Sequence, residues 1–248
     1  GMRALGACGV RDLELGRALG NSVHGKLKAQ LSAEETISLA WTFCTLSFYH
    51  DPLFRLAFAE VGDASGLGGE AQCQLYEVHL SLKAMRPDAY EGYALADAVV
   101  KSLRSHYRKH KGGKAREAKL ERASQKVHKD VAEQLGGVVD GAISRQHQTE
   151  LGLTVDFAVK KRKGSAAVVL LEVDGPHTLL KSIDPSAPQA SRVKGHVLLK
   201  RYMLQKQGVR LAVVSEEVWR SLGDSSREKR EFLRELLRQA GVDKDKLL

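Results

Sequence analysis

The apolar residues of this chain change period between residues 135 and 153, and no other feature constrains the fold as much. Before Leu135 they recur at helical spacing. Val127, Val131 and Leu135 stand four apart and make one buried stripe. From Leu153 they alternate. Leu153, Val155, Phe157 and Val159 are separated by Thr154, Asp156 and Ala158, the mark of a strand. Ala166–Val173 then runs almost continuously apolar, as a strand buried on both faces does. The chain therefore reads as an all-helical N-terminal part followed by a small β-β-α-β-α module.

Local signals divide the helical part. Ser32 with Glu35 three residues on predicts a capping box. The helix behind it (Ile37, Leu39, Ala40, Trp41, Phe43, Cys44, Leu46) is apolar almost all round and has to be buried. Asp51 reads as the cap of a second helix, with Pro52 at its first position. Gly62–Gly69 is a glycine-rich loop between helices, without the strand that dinucleotide or phosphate loops require. A helix follows over Glu70–Lys83, ended at Arg86-Pro87-Asp88, and another over Ala89–Ser105. The basic segment 101–135 continues as helix, divided at Gly112-Gly113 and stopped at Gly136-Gly137. Beyond the first two strands, Ser191–Gln207 reads as helix and Val209–Val214 as a third strand. A terminal helix over Ser225–Ala240 has Ser225 and Glu228 as its capping box and Gly241 as its stop.

Charge is distributed unevenly. The first 100 residues hold 8 Lys+Arg and 12 Asp+Glu, and the remaining 148 hold 31 and 18. A formal +9 is thus a net −4 segment joined to a net +13 segment, with the densest base in 101–130. Such asymmetry points to a polyanion facing the C-terminal part. Three basic clusters are candidate phosphate contacts: Arg104, Arg108, Lys109, Lys111 and Lys114; the Lys160, Lys161, Arg162, Lys163 turn; and Lys194, Lys200 and Arg201. No apolar run approaches the roughly 18 residues of a membrane span. The three cysteines, Cys8, Cys44 and Cys73, are too sparse for a disulfide framework or a zinc knuckle.

Asp156, Glu172 and Asp174 form the sharpest chemical group. Glu172 and Asp174, two apart on a strand, share a face, and Asp156 lies on the strand before. Clustered carboxylates on adjacent strands can hold Mg²⁺ beside a phosphodiester. A PD-(D/E)xK nuclease uses Asp and then Glu-x-Lys, and here Asp174 stands where that lysine would be. The other reading is structural, with Asp174 capping the Asp-Gly-Pro turn and Glu172 bonding local backbone. His177, after that turn, is a candidate acid, metal ligand or phosphate contact. His106 and His110 have metal-ligand spacing but no supporting acid, and read as members of the basic face.

Leu153–His177 (LTVDFAVKKRKGSAAVVLLEVDGPH) resembles the core of the RAP domain, an RNA-binding module. The matching residues are Asp156, then Glu172-Val173-Asp174-Gly175-Pro176, with His177 one place earlier than in the family pattern. Leu198–Trp219 is similar to the family's Leu-Leu-Lys-Arg helix and following strand, and the likeness spans roughly 124–240. Ala40–Phe58 and Gln72–Lys83 are similar, more loosely, to the helical segments before the RAP domain in FAST kinase-like proteins. No kinase motif accompanies them.

The resemblance implies a FAST-like helical region over 1–120 and a small restriction-endonuclease-like α/β domain over 121–248. It further implies organellar RNA metabolism: RNA processing, stability, or ribosome assembly and structure, in the mitochondrion, with the plastid as alternative. Expected partners are organellar rRNA or mRNA and mitochondrial ribosome proteins. The first expectation is an RNA-binding protein without a cofactor. The second is a metal-dependent endoribonuclease with Asp156, Glu172 and Asp174 on Mg²⁺ or Mn²⁺ and His177 or Lys200 assisting. A third is an interaction subunit of a large organellar complex.

Overall fold

A computed structural model describes residues 14, 18, 21, 22, 31–59, 61–111, 122–160, 167–179 and 193–242. Its elements are α1 (Ala33–Thr45), α2 (Asp51–Ala59), α3 (Gly69–Met85), α4 (Pro87–Glu91), α5 (Asp97–Lys111), α6 (Arg122–Gly136), β1 (Ala142–Gln148), β2 (Thr154–Lys160), β3 (Ala167–Asp174), α7 (Gly195–Lys206), β4 (Leu211–Ser215), α8 (Glu216–Ser221) and α9 (Ser226–Gln239). The protein thus combines helices with a four-stranded mixed sheet. No helix among the described residues is long and apolar enough to cross a membrane.

The chain divides into two compact units, one within 1–110 and 180–206, the other within 111–179 and 207–248. In the first, α1 packs on α2 and α3. Its capping box is complete. Ser32 Oγ accepts the Glu35 amide at 3.3 Å, and Glu35 Oε2 accepts the Ser32 amide at 2.9 Å. The cap of α2 falls one residue before the expected Asp51: His50 Nδ1 accepts the Leu53 amide at 3.3 Å. The helix expected over 89–105 is two elements, α4 and α5. Pro87 starts a short turn of helix, and Gly92 ends it before α5 begins at Asp97.

Helix α7 belongs to this unit, although it lies between two strands of the other in the sequence. Its buried Val197, Leu199, Met203 and Leu204 face a helix pair, and α7 packs on α1 and α3.

In the second unit the strand order is β1-β2-β3-β4. The first two pairings are antiparallel and the last is parallel, with Asp174 opposite Ser215. Val127, Val131 and Leu135 of α6 form the expected buried stripe. They share a core with Phe157, Val159, Leu171, Val173, Val214 and Trp219, and with Leu233 and Leu237 of α9. Ser225 caps α9 by accepting the Glu228 amide, and Gly241 ends it at φ +81°.

The sheet has one strand more than the sequence suggested. β1 reads AISRQHQ, with too few apolar or β-branched residues to alternate. As an edge strand it needs only partial burial, so polar residues suffice.

Candidate functional site

The parallel pairing of β3 and β4 sets Asp174 and Ser215 side by side at the carboxyl ends of their strands. In open α/β sheets ligands gather at this edge. Two segments leave from it: the Gly175–Thr178 turn and helix α8. Ser215 caps α8, its Oγ accepting the Val218 amide at 3.4 Å.

Glu216 opens that helix and is 4% exposed. Ser124 Oγ of α6 donates to its Oε2 at 2.9 Å, and Arg220 donates to its Oε1 through Nε at 3.1 Å and Nη2 at 2.5 Å. The turn closes directly on this carboxylate. A Cβ on residue 175 would lie 2.1 Å from Glu216 Oε2, so any other residue there has to push that carboxylate aside. Thr178 Oγ1 secures the turn by accepting the Gly175 amide at 3.1 Å and donating to the Gly175 carbonyl at 3.0 Å.

Asp156 is fully buried at the start of β2. Its Oδ2 accepts the Val173 amide at 2.8 Å, clamping β2 to β3. Its Oδ1 lies 3.4 Å from His128 Nε2 of α6. The other imidazole nitrogen, Nδ1, is 2.8 Å from the Ser124 carbonyl, which only accepts, so Nδ1 carries a hydrogen. When Nε2 is also protonated, His128 and Asp156 form a buried ion pair. Ser124 thus serves both anchors, through its carbonyl to His128 and its hydroxyl to Glu216. The His177 ring is half-buried, 6.1 Å centroid to centroid from that of His128.

The expected acidic trio is brought to neighbouring strand positions. Phe157 pairs with Leu171, so Asp156 and Glu172 stand one step further along the same ladder. Glu172 is 0% and Asp174 8% exposed. Among the described residues, however, no three His, Cys, Asp or Glu side chains are arranged to hold a metal ion. Mg²⁺ keeps several of its waters and takes ligands that reach them. All three carboxylates are buried, and Asp156 is turned to a backbone amide and an imidazole.

The basic residues expected from the sequence lie on several elements. On α5, Arg108 and Lys109 are exposed, and Arg104 and Lys111 half-buried. The same helix buries Leu103 and Tyr107. Tyr107 donates to Glu77 Oε1 at 2.9 Å and Trp41 Nε1 to Glu77 Oε2 at 2.5 Å, so one carboxylate of α3 fixes both α1 and α5. Burial, then the charge of Glu77, pushes the Tyr107 hydroxyl well above its usual range. His106 and His110 stack, ring centroids 4.1 Å apart, on α5. Lys160 is half-buried at the end of β2, and Lys194, Lys200 and Arg201 are half-buried in or beside α7. Lys114, Lys161, Arg162 and Lys163 lie outside the described residues.

No protein-family model and no curated protein matches this chain.

Sequence reasoning missed Ser124, His128, Glu216 and Arg220. His128 sits in a stretch (SQKVHKD) that reads as a charged helix face. Glu216 had one available signal: it closely follows the expected strand Val209–Val214.

Proposed function

We propose that this protein binds RNA through basic surfaces and is not primarily a nuclease. One observation carries the reading: α5 offers exposed base, whereas the acids of the strand-end group are withdrawn from solvent. Arg108 and Lys109 face solvent on α5, whereas Asp156, Glu172, Asp174 and Glu216 are buried, and Asp156 and Glu216 accept hydrogen bonds from within the protein. Cations in solvent can neutralise phosphates, and carboxylates withdrawn from solvent do not repel them. The buried acids act as struts. The RAP-like motif and the net +13 beyond residue 100 support the same reading. The RAP resemblance alone supports an organellar role, in RNA processing, stability or ribosome structure, with a mitochondrial location and the plastid as alternative.

The test is equilibrium binding to a structured RNA across a salt series. Each phosphate contact contributes about 0.7–0.9 to the slope of log K against log salt. Replacing Arg104, Arg108 and Lys109 together by glutamate is expected to weaken binding and reduce that slope by about 2–3. An unchanged slope refutes the assignment of α5.

One observation favours a second reading, a metal-dependent ribonuclease of PD-(D/E)xK type: Asp156 and Glu172 occupy neighbouring positions on paired strands. Under that reading Mg²⁺ or Mn²⁺ elicits RNA cleavage that both Asp156→Asn and Glu172→Gln abolish. Cleavage that persists in both variants comes from a contaminant.

A further inference from the structure

Helix α7 meets its packing needs with one side. Val197, Leu199, Met203 and Leu204 are buried there. Leu198 and Tyr202 are not part of that side, and they are 48% and 39% exposed. Only three large apolar side chains among the described residues are this exposed, and two of them are these. They stand four apart, in register with Lys194 and Lys206, so the four residues form a single stripe along the helix. Lys206 Nζ lies 5.6 Å from the centroid of the Tyr202 ring, a cation–π contact. The sequence around the stripe has a single sign. Residues 185–215 hold six Lys or Arg and no Asp or Glu.

A partly exposed aromatic ring with a mobile lysine ammonium at one face, and a second lysine further along the same stripe, matches an unpaired nucleotide: the base displaces the ammonium from the ring and the phosphates meet the cations. A duplex keeps its bases stacked within the helix and cannot use the ring. An amphipathic peptide helix needs anchors at i, i+3, i+4 and i+7 in a groove, and two side chains on a convex stripe do not provide one. We propose that α7 is a stacking site for an unpaired RNA base, with Tyr202 as its platform and Lys194 and Lys206 as its phosphate contacts. This rests on the RNA-binding reading above and narrows it to single-stranded segments.

The experiment measures anisotropy of two fluorescein-labelled probes with the full chain: an unstructured 12-mer RNA and the same 12-mer in a duplex. Loss of base–aromatic stacking lowers affinity by about 5-fold or more. Tyr202→Ala is therefore expected to weaken the single strand about 5-fold or more and leave the duplex within about 2-fold. Tyr202→Phe keeps the ring and is expected to bind both as the parent does. Tyr202→Trp provides an independent readout, since a base stacked on the introduced indole quenches its fluorescence. Equal single-strand affinity for the alanine variant and the parent overturns the proposal while leaving the RNA reading intact. Indole fluorescence that stays unquenched in Tyr202→Trp at saturating 12-mer does the same. A parent protein that binds neither probe overturns both readings. Quenching by an acidic peptide but not by RNA reassigns the stripe to a protein partner and overturns the proposal.

Discussion

Replacing Gly175 by alanine tests the claim that the strand-end turn is moulded around the Glu216 carboxylate. The added methyl carbon would fall 2.1 Å from Glu216 Oε2 and 3.2 Å from its Cδ, well inside contact distance. The end of a glutamate side chain can usually swing away, but this one is buried and tethered. Swinging breaks the Ser124 bond at 2.9 Å and the Arg220 pair. Overpacking by one methyl group costs about 1–3 kcal/mol. Loss of a buried hydrogen bond to a charged group costs about 1.5–3 kcal/mol. The expected destabilisation of Gly175→Ala is therefore about 2.5–6 kcal/mol. Urea unfolding followed by tryptophan fluorescence measures it, since Trp219 is buried in the same unit. Glu216→Ala removes the obstructing carboxylate, so alanine at 175 is expected to cost within about 0.5 kcal/mol in that background. The coupling between the two sites is then about 2 kcal/mol or more. If Gly175→Ala costs less than about 0.5 kcal/mol alone, or costs the same in both backgrounds, the turn is not built on Glu216.

Three further outcomes are expected. Burial, then Lys83, lowers the His79 imidazole from 6.5 to about 4, so folding favours its neutral form. Between about pH 6.5 and 4 the unfolded chain binds a proton that the folded chain does not, and stability falls as pH drops through this window. His79→Gln is expected to flatten that limb in urea midpoints taken against pH, and a titration of the His79 ring at its ordinary pH, followed by NMR, would contradict it. For Asp130, burial alone would raise the carboxyl, but hydrogen bonds from Lys229 at 2.7 Å and Trp219 at 2.9 Å outweigh it and hold it below 3.8. Its contribution is present above about pH 4 and lost as pH falls through the lowered value; Asp130→Asn removes this acid limb and costs about 1–3 kcal/mol at neutral pH in the same urea assay. Burial raises the Cys44 thiol to about 12, so iodoacetamide at mildly alkaline pH is expected to spare it until urea unfolds the chain, as peptide mapping reads.

What the sequence made legible was local. Ser32 with Glu35, Ser225 and Gly241 marked helix ends because capping chemistry is completed within three or four residues. The buried stripe of α6 and the strands bearing Asp156 and Glu172 were readable from period alone. What escaped was set by partners distant in the chain. Ser124 meets Glu216 across 92 residues, and nothing in either neighbourhood signals the other. Strand β1 escaped because an edge position accepts Arg145, Gln146 and His147 without an apolar face. Helix α7 escaped as a member of the helical unit because chain order places it between β3 and β4, whereas its buried side chains match α1 and α3. The acidic trio was readable as residues sharing paired strands, whereas its burial is a property of the assembled unit.

The interleaving of the two units governs how such a chain can be made. A nascent chain emerges from its N-terminus, and here the helical unit draws α7 from residues 195–206. A chain paused after residue 179 has β1, β2 and β3, but lacks both the parallel partner of β3 and the last helix of the other unit. Neither unit can finish while the other waits untouched, because the connection that completes the sheet carries a structural part of the helical unit. Long-range closure of this kind is slow and leaves apolar surface open while synthesis continues. A fragment ending near residue 120, which looks like a tidy domain on paper, leaves α1 and α3 without α7 and is expected to be a client for chaperones.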